Sequence, residues 1–157
     1  MKVKLLLIGK TNKPFLIEGE KEYLRRLQHY LKIERIELQD IKNQKHLTIN
    51  QIRSAEGLLF MDKIKNDDYL VLLDEKGEQL TSKDFSLFVN DKATNNSKNI
   101  VFVIGGAFGF SDELYKRSNF KMSLSKMTFS HQMVRMIFLE QLYRACTILK
   151  GEPYHHE

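Results

Sequence analysis

The sequence predicts a single α/β domain built on a mainly parallel sheet with helices on both faces. Three observations carry that prediction. Strand-like and helix-like segments alternate five times along the 157 residues, the arrangement of repeated βαβ units. Residues 69–74 (YLVLLD) and 100–104 (IVFVI) are continuous apolar runs, as strands need when both faces of the sheet are covered. No Pro/Ser-rich linker, composition break or internal repeat divides the chain, and its length suits one domain, placed at 1–157.

Each element has its own signal. Residues 3–9 are an apolar run ending in glycine and read as a buried strand. Pro14 opens a helical pattern over 14–31, proline being suited to a first helical turn. Phe15, Ile17, Tyr23, Leu24, Leu27, Tyr30 and Leu31 make its apolar stripe. Glu20, Lys21, Arg25 and Arg26 are assigned to solvent, and the two arginines to a solvated face rather than a phosphate grip. Residues 33–39 alternate as a strand, 40–48 lack any period and form a loop, and 50–65 return to helical spacing through Ile52, Ala55, Leu58, Leu59 and Met61. After the strand at 69–74, the EKGE of 75–78 reads as a turn. Ser82 is the expected cap of a helix through Val89, which frays into the polar tract 91–98. The strand at 100–104 runs into Gly105, Gly106 and Gly109. A short polar helix, a strand at 120–124, a small-polar loop at 125–130 and a helix over 133–149 complete the chain.

Hydrophobic residues make up 42% and charged residues 29%, enough apolar material for one core without staples. The net charge of +5 leans toward a polyanionic partner but does not decide it. Cys146 is the one cysteine, so there is no internal disulfide. A reducing, cytoplasmic setting fits, with the thiol buried and inert. The opening MKVKLLLIGK is too short for a signal-peptide core, and no apolar run would span a membrane. No metal site is expected: His155 and His156 are adjacent, with no acids or cysteines at ligand spacing.

Ligands of open parallel sheets bind beyond the carboxyl ends of the strands. Three such ends carry suitable residues: Leu73 and Asp74, Gly105 and Gly106, and Leu124 and Ser125. The glycines fit neither the dinucleotide fingerprint nor a P-loop. A close backbone approach to a ligand and a plain tight turn both remain open. His131, at the start of the last helix, reads as a cap or surface residue. That helix is apolar on more than one stripe. The surplus asks for a second cover, most simply a homodimer partner. Glu140 and Arg144 are spaced to pair along it.

VFVIGGAFGFS, SLSKMTFSHQMVRMIFLEQLYRA and the terminal EPYHHE resemble the SPOUT-class methyltransferases, and within them the ribosomal RNA large subunit methyltransferase H family. The resemblance covers the whole chain. It implies an α/β domain with a C-terminal trefoil knot, the knot and dimer face lying within about 99–157. It also implies S-adenosylmethionine as cofactor, a homodimer, and methylation of N3 of a pseudouridine in 23S ribosomal RNA of the assembled ribosome. By motif, the cofactor contacts are Leu73, Gly105, Leu124, Ser125, Lys126, Met127, Thr128 and Phe129. Tyr154 and His155, then His131, are the candidates for shaping the catalytic site. Lys116, Arg117, Lys121, Lys126, Arg135 and Lys150, with Arg25 and Arg26 of the first helix, are the expected supply of RNA-facing cations. The family tail often carries arginine where His156 stands, which puts a phosphate role there in doubt. The glycine turn often reads GGPEG or GGSNG where this chain has GGAFG. A non-catalytic ribosome-binding scaffold is the alternative, disfavoured by the retained glycines and complete tail.

Overall fold

The computed structural model describes residues 2–95 and 99–156. Its strands are β1 (Lys2–Ile8), β2 (Lys32–Leu38), β3 (Tyr69–Gln79), β4 (Asn99–Ile104) and β5 (Phe120–Ser123). Its helices are α1 (Pro14–Leu27), α2 (Ile49–Lys63), α3 (Ser82–Thr94), α4 (Asp112–Arg117) and α5 (Met133–Lys150). The strands form one sheet in the order β2-β1-β4-β3-β5, and every neighbouring pair is parallel.

The two-residue period of a strand sends neighbouring side chains to opposite faces, and two cores result. Val3, Leu5, Leu7, Ile100 and Phe102 pack beneath Leu27 of α1, Phe85 of α3 and Phe138 and Leu142 of α5. Leu6, Ile8, Val101 and Val103 pack beneath Phe60 of α2 and Leu114 of α4. Helices therefore cover both faces, which is why β3 and β4 read as unbroken apolar runs. α5 lies against both α1 and α3. Part of its apolar surplus is thus covered within the chain, while Leu149 stays 40% exposed.

Several expectations need correction. The EKGE segment does not end β3. The strand continues to Gln79, and the register against β5 jumps between Leu73 and Glu78, with residues 74–77 as a bulge. A Cβ on Gly77 would lie 2.6 Å from backbone atoms of Lys121 and Met122, so the bulge can close on β5 only with glycine there. Thr81, not Ser82, caps α3 by accepting from the Asp84 N–H. α3 continues to Thr94, because its inner face remains anchored by Phe85 and Val89 while the polar residues point outward. Residues 96–98 of the expected polar tract lie outside the described residues, as does Glu157 of the tail. The 40–48 loop contains a turn of 3-10 helix at Gln44–His46, and a capping box at Thr48 and Gln51 starts α2.

Two assignments on α1 reverse. Phe15 is 61% exposed, whereas Glu20, given to solvent, is 3% exposed. Glu20 is buried because Arg35 of β2 reaches it, Nε to Oε1 at 3.0 Å. A charged-looking helix position carries no sign of a buried partner twelve or more residues away. Arg25 and Arg26 do sit on the outer face, where both donate to Glu22. Arg144 pairs with Glu140 as expected.

Cys146 is 6% exposed, and burial pushes its thiol up to about 11. The native protein is therefore expected to resist a thiol reagent at pH 8 for hours, and to react fully once unfolded in guanidinium. Rapid labelling of the native chain would contradict the buried assignment.

Candidate active site

A cleft of about 490 Å³ opens beyond the carboxyl ends of β4 and β5 and beside the bulge within β3, within the ~300–1,000 Å³ usual for small-molecule sites; Leu73 and Asp74, expected at a strand end, sit inside β3 at that bulge. Its walls are the β3 bulge, the glycine turn after β4 and the loop after β5. Leu73, Gly105, Leu124, Ser125, Met127, Thr128 and Phe129 all line it, and so does His131. Lys126, which is exposed, alone among the motif-assigned cofactor residues does not.

The walls are tied to one another. In the loop, the Ser123 hydroxyl donates to the Ser125 carbonyl at 2.8 Å, and Ser125 Oγ accepts from the Met127 N–H at 2.9 Å. The Thr128 hydroxyl donates to Glu75 Oε2 at 3.0 Å, stitching loop to bulge. Tyr115 of α4 donates to Asp74 Oδ2 at 2.6 Å; burial first, then Asp74, pushes that phenol up to about 12. Asp74 and Glu75 thus place two carboxyl groups on one wall.

The glycine turn is held from behind by α2. Arg53 donates through Nε to the Phe108 carbonyl at 2.6 Å. One helical turn on, Glu56 is 4% exposed and its Oε1 has no hydrogen-bond partner among the described residues. A Cβ on Gly106 would lie 2.6 Å from Glu56 Oε2, so a side chain there would have to displace this carboxyl. Burial, and secondarily the charge of Asp40, raises Glu56 to about 7.

Tyr154 and His155 lie elsewhere in the chain. The tail folds back on α5, where the Tyr154 hydroxyl donates to Glu140 Oε1 at 3.1 Å and its ring meets Tyr143 edge-on at 4.7 Å. The Arg144 guanidinium stacks over the Tyr154 ring and lies 3.3 Å from His155 Nδ1. Burial, with Tyr23 and Glu140, holds the Tyr154 phenol well above its usual range, so it serves as a hydrogen-bond donor rather than a proton acceptor.

The expected RNA-facing cations divide. Arg135 is 1% exposed and is no surface cation. Arg117 is committed to the carbonyls of Lys65 and Asp68 at 2.9 and 2.8 Å. Lys116, Lys121, Lys126 and Lys150 are exposed. Sequence reasoning placed Asp74 at a strand end but did not give the site Arg53, Glu75, Phe108 or Tyr115. The register jump that turns Glu75 toward the cleft has only Gly77 as a local sign. Nothing local marks Arg53, which reaches the cleft only because α2 crosses behind β4.

A parallel α/β domain with a small-molecule cleft at the carboxyl edge of its sheet is the architecture of a ligand-binding α/β protein. The family model described as "Predicted SPOUT methyltransferase" matches residues 1–155, and the chain belongs to that family. Among curated relatives, a protein of Christiangramia forsetii is 53% identical over 156 residues, 99% of each chain. One from Parabacteroides distasonis is 51% identical over 157 residues, the whole of both chains. One from Bacteroides thetaiotaomicron is 43% identical over the same full length. Each of these relatives carries the name ribosomal RNA large subunit methyltransferase H.

Proposed function

We propose that this protein methylates N3 of a pseudouridine in 23S ribosomal RNA of the assembled ribosome, with S-adenosylmethionine as methyl donor. The observation that carries the reading is convergence. Residues from the β3 bulge and from the ends of β4 and β5, assigned to the cofactor by motif, line one cleft of suitable volume, all but Lys126. The walls suit the group. Small and backbone-rich positions at Gly105, Ser125 and Thr128 can approach an adenine edge. The carboxyl groups of Asp74 and Glu75 favour a cationic ligand. When bound, S-adenosylmethionine supplies an electrophilic methyl group on a sulfonium.

The chain's own task is to hold the base nitrogen in line with that methyl group in a closed site and to ease departure of the N3 proton. His131 stands at the cleft. Tyr154 and His155 do not reach it in their own copy, so a site-shaping role for them requires a homodimer that brings one tail to the other cleft. The apolar remainder of α5 supports such pairing, and the family's trefoil knot belongs to the same reading, within the C-terminal part of the chain. The cytoplasm, where ribosomes work, is the setting.

The test is isothermal titration with S-adenosylmethionine, followed by labelled methyl transfer to ribosomes that lack the modification. Saturable binding and transfer are expected. In Gly105→Val, a Cβ would sit 3.0 Å from Phe110 Cε1 and 3.4 Å from the Gly109 carbonyl. Overpacking of about 1–3 kcal/mol is expected to weaken cofactor binding by roughly 5- to 150-fold. No cofactor binding by the natural protein, with or without ribosomes, sinks the reading.

A further inference from the structure

We propose that Phe108 and Arg53 form the substrate lip of the cleft, the Phe108 ring stacking on a nucleobase of the RNA and the Arg53 guanidinium binding an adjoining phosphate. The proposal rests on the methyltransferase reading above and adds to it the residues that seat the RNA.

The glycine turn carries two phenylalanines with opposite fates. Phe110 is 5% exposed and meets Tyr115 edge-on at 5.8 Å, so it anchors the turn. Phe108 is 38% exposed and borders the cleft. Its backbone is not loose, because the Phe108 carbonyl accepts from Arg53 Nε at 2.6 Å. A large ring is thus presented to solvent on a fixed support.

Arg53 uses only Nε for that bond. Its two Nη groups have no hydrogen-bond or ion-pair partner among the described residues, and the side chain borders the same cleft. On the facing wall, Phe129 and Met127 are 36% and 77% exposed. The mouth therefore combines apolar faces on both sides with an unspent guanidinium fork. Aromatic faces stack unpaired bases, and arginine forks bind phosphate. The exposed Lys76 of the β3 bulge and Lys126 of the loop after β5 place further cations near the Arg53 fork, beside the carboxyl groups of Asp74 and Glu75.

The reaction supplies the need. A ring nitrogen can meet a methyl group within a cleft only after its base has left the helical stack, and that unstacking has to be offset by new contacts. A ring at the lip provides one without touching the deeper, backbone-lined cofactor seat.

The experiment measures methyl transfer against ribosome concentration, with cofactor affinity measured separately by titration, for Phe108→Ala, Phe108→Tyr and Arg53→Gln. Phe108→Ala is expected to raise the ribosome KM by about 5- to 150-fold while leaving the S-adenosylmethionine Kd within twofold. Phe108→Tyr, which keeps the stacking face, restores the KM. Arg53→Gln lowers the slope of log KM against log salt by about one phosphate contact. An unchanged ribosome KM in Phe108→Ala overturns the proposal. So does an equal loss of cofactor affinity, which assigns the ring to the cofactor seat. A change in dimer dissociation with no change in ribosome KM assigns the lip to a second copy and overturns it as well. Absence of cofactor binding by the natural protein is a separate failure: it removes the methyltransferase reading, and this proposal with it.

Discussion

Replacing Arg135 with methionine is expected to destabilise the fold by about 3–5 kcal/mol. Arg135 is 1% exposed, yet its guanidinium is not a stray charge. Nη1 donates to the Gly9 carbonyl at 2.9 Å and to Thr11 Oγ1 at 3.0 Å, and Nη2 donates to the Ile8 carbonyl. Three acceptors at and just after the end of β1 thus take their donors from the first turn of α5. The same Thr11 oxygen accepts from Arg35 at 3.0 Å, and Arg35 is in turn neutralised by Glu20 and Glu37. Burial and the neighbouring Arg35 charge lower the Arg135 pKa, but a guanidinium stays protonated in proteins.

Swapping a whole buried ion pair for apolar side chains is often neutral, because both partners go together. Here that escape is closed: two of the acceptors are backbone carbonyls that no side-chain change removes. Methionine fits the volume and leaves them bare, and each hydrogen bond to a charged donor is worth about 1.5–3 kcal/mol. The offset is relief from burying the charge, which brings the net to the range given. Urea unfolding of the variant measures it, and a loss under about 1 kcal/mol would refute the anchoring role. Lysine is expected to rescue little, since one ammonium cannot reproduce the fork.

The same residue shows where the sequence stops being readable. Arg135 lies in SHQMVRMIF, a charged residue in an otherwise apolar helical stretch, and there its charge reads as surface. It is buried because the parallel topology brings the start of α5 under the end of β1, a contact spanning more than a hundred residues. Glu20 is the matching case on α1. By contrast, the strands and most helices were legible, because burial on two faces writes itself as continuous apolar runs and amphipathic spacing. The cleft was legible in part for the same reason: strand ends can be counted once the strands are known. The residues that complete its walls come from a register jump and from a helix crossing behind the sheet, and neither is a local property of sequence. The tail was readable as a motif, but its place against Glu140 and Tyr143 follows from how α5 and α1 meet.

Glu56 is expected to make stability fall as pH rises from about 4.5 to about 7, and Glu56→Gln is expected to remove that fall. The folded protein holds this carboxyl near 7 instead of the ordinary 4.5, with burial first and Asp40 second as causes. Below about pH 4.5 it is protonated in both folded and unfolded chains, so no differential exists. Between the two values the folded state keeps a proton that the unfolded state has released, and stability declines with pH. Above about 7 the carboxylate is charged in both states, and the folded state bears the full cost. A shift of this size corresponds to about 3 kcal/mol. Among the described residues no cation is paired with it: Glu56 Oε1 is unpartnered, Arg53 on the same helix is turned to the Phe108 carbonyl, and Asp40 adds a like charge. The measurement is urea unfolding of both proteins at pH 5 and pH 8. The difference in stability between variant and natural protein should grow by about 2.5 kcal/mol from pH 5 to pH 8, the remainder of the fall lying below pH 5. Parallel profiles would show that the carboxyl ionises without cost and is solvated in the fold. Because Gly106 rests against this side chain, the charge appears directly behind the glycine turn. The local cost at neutral pH therefore falls on the wall of the cleft rather than on the core.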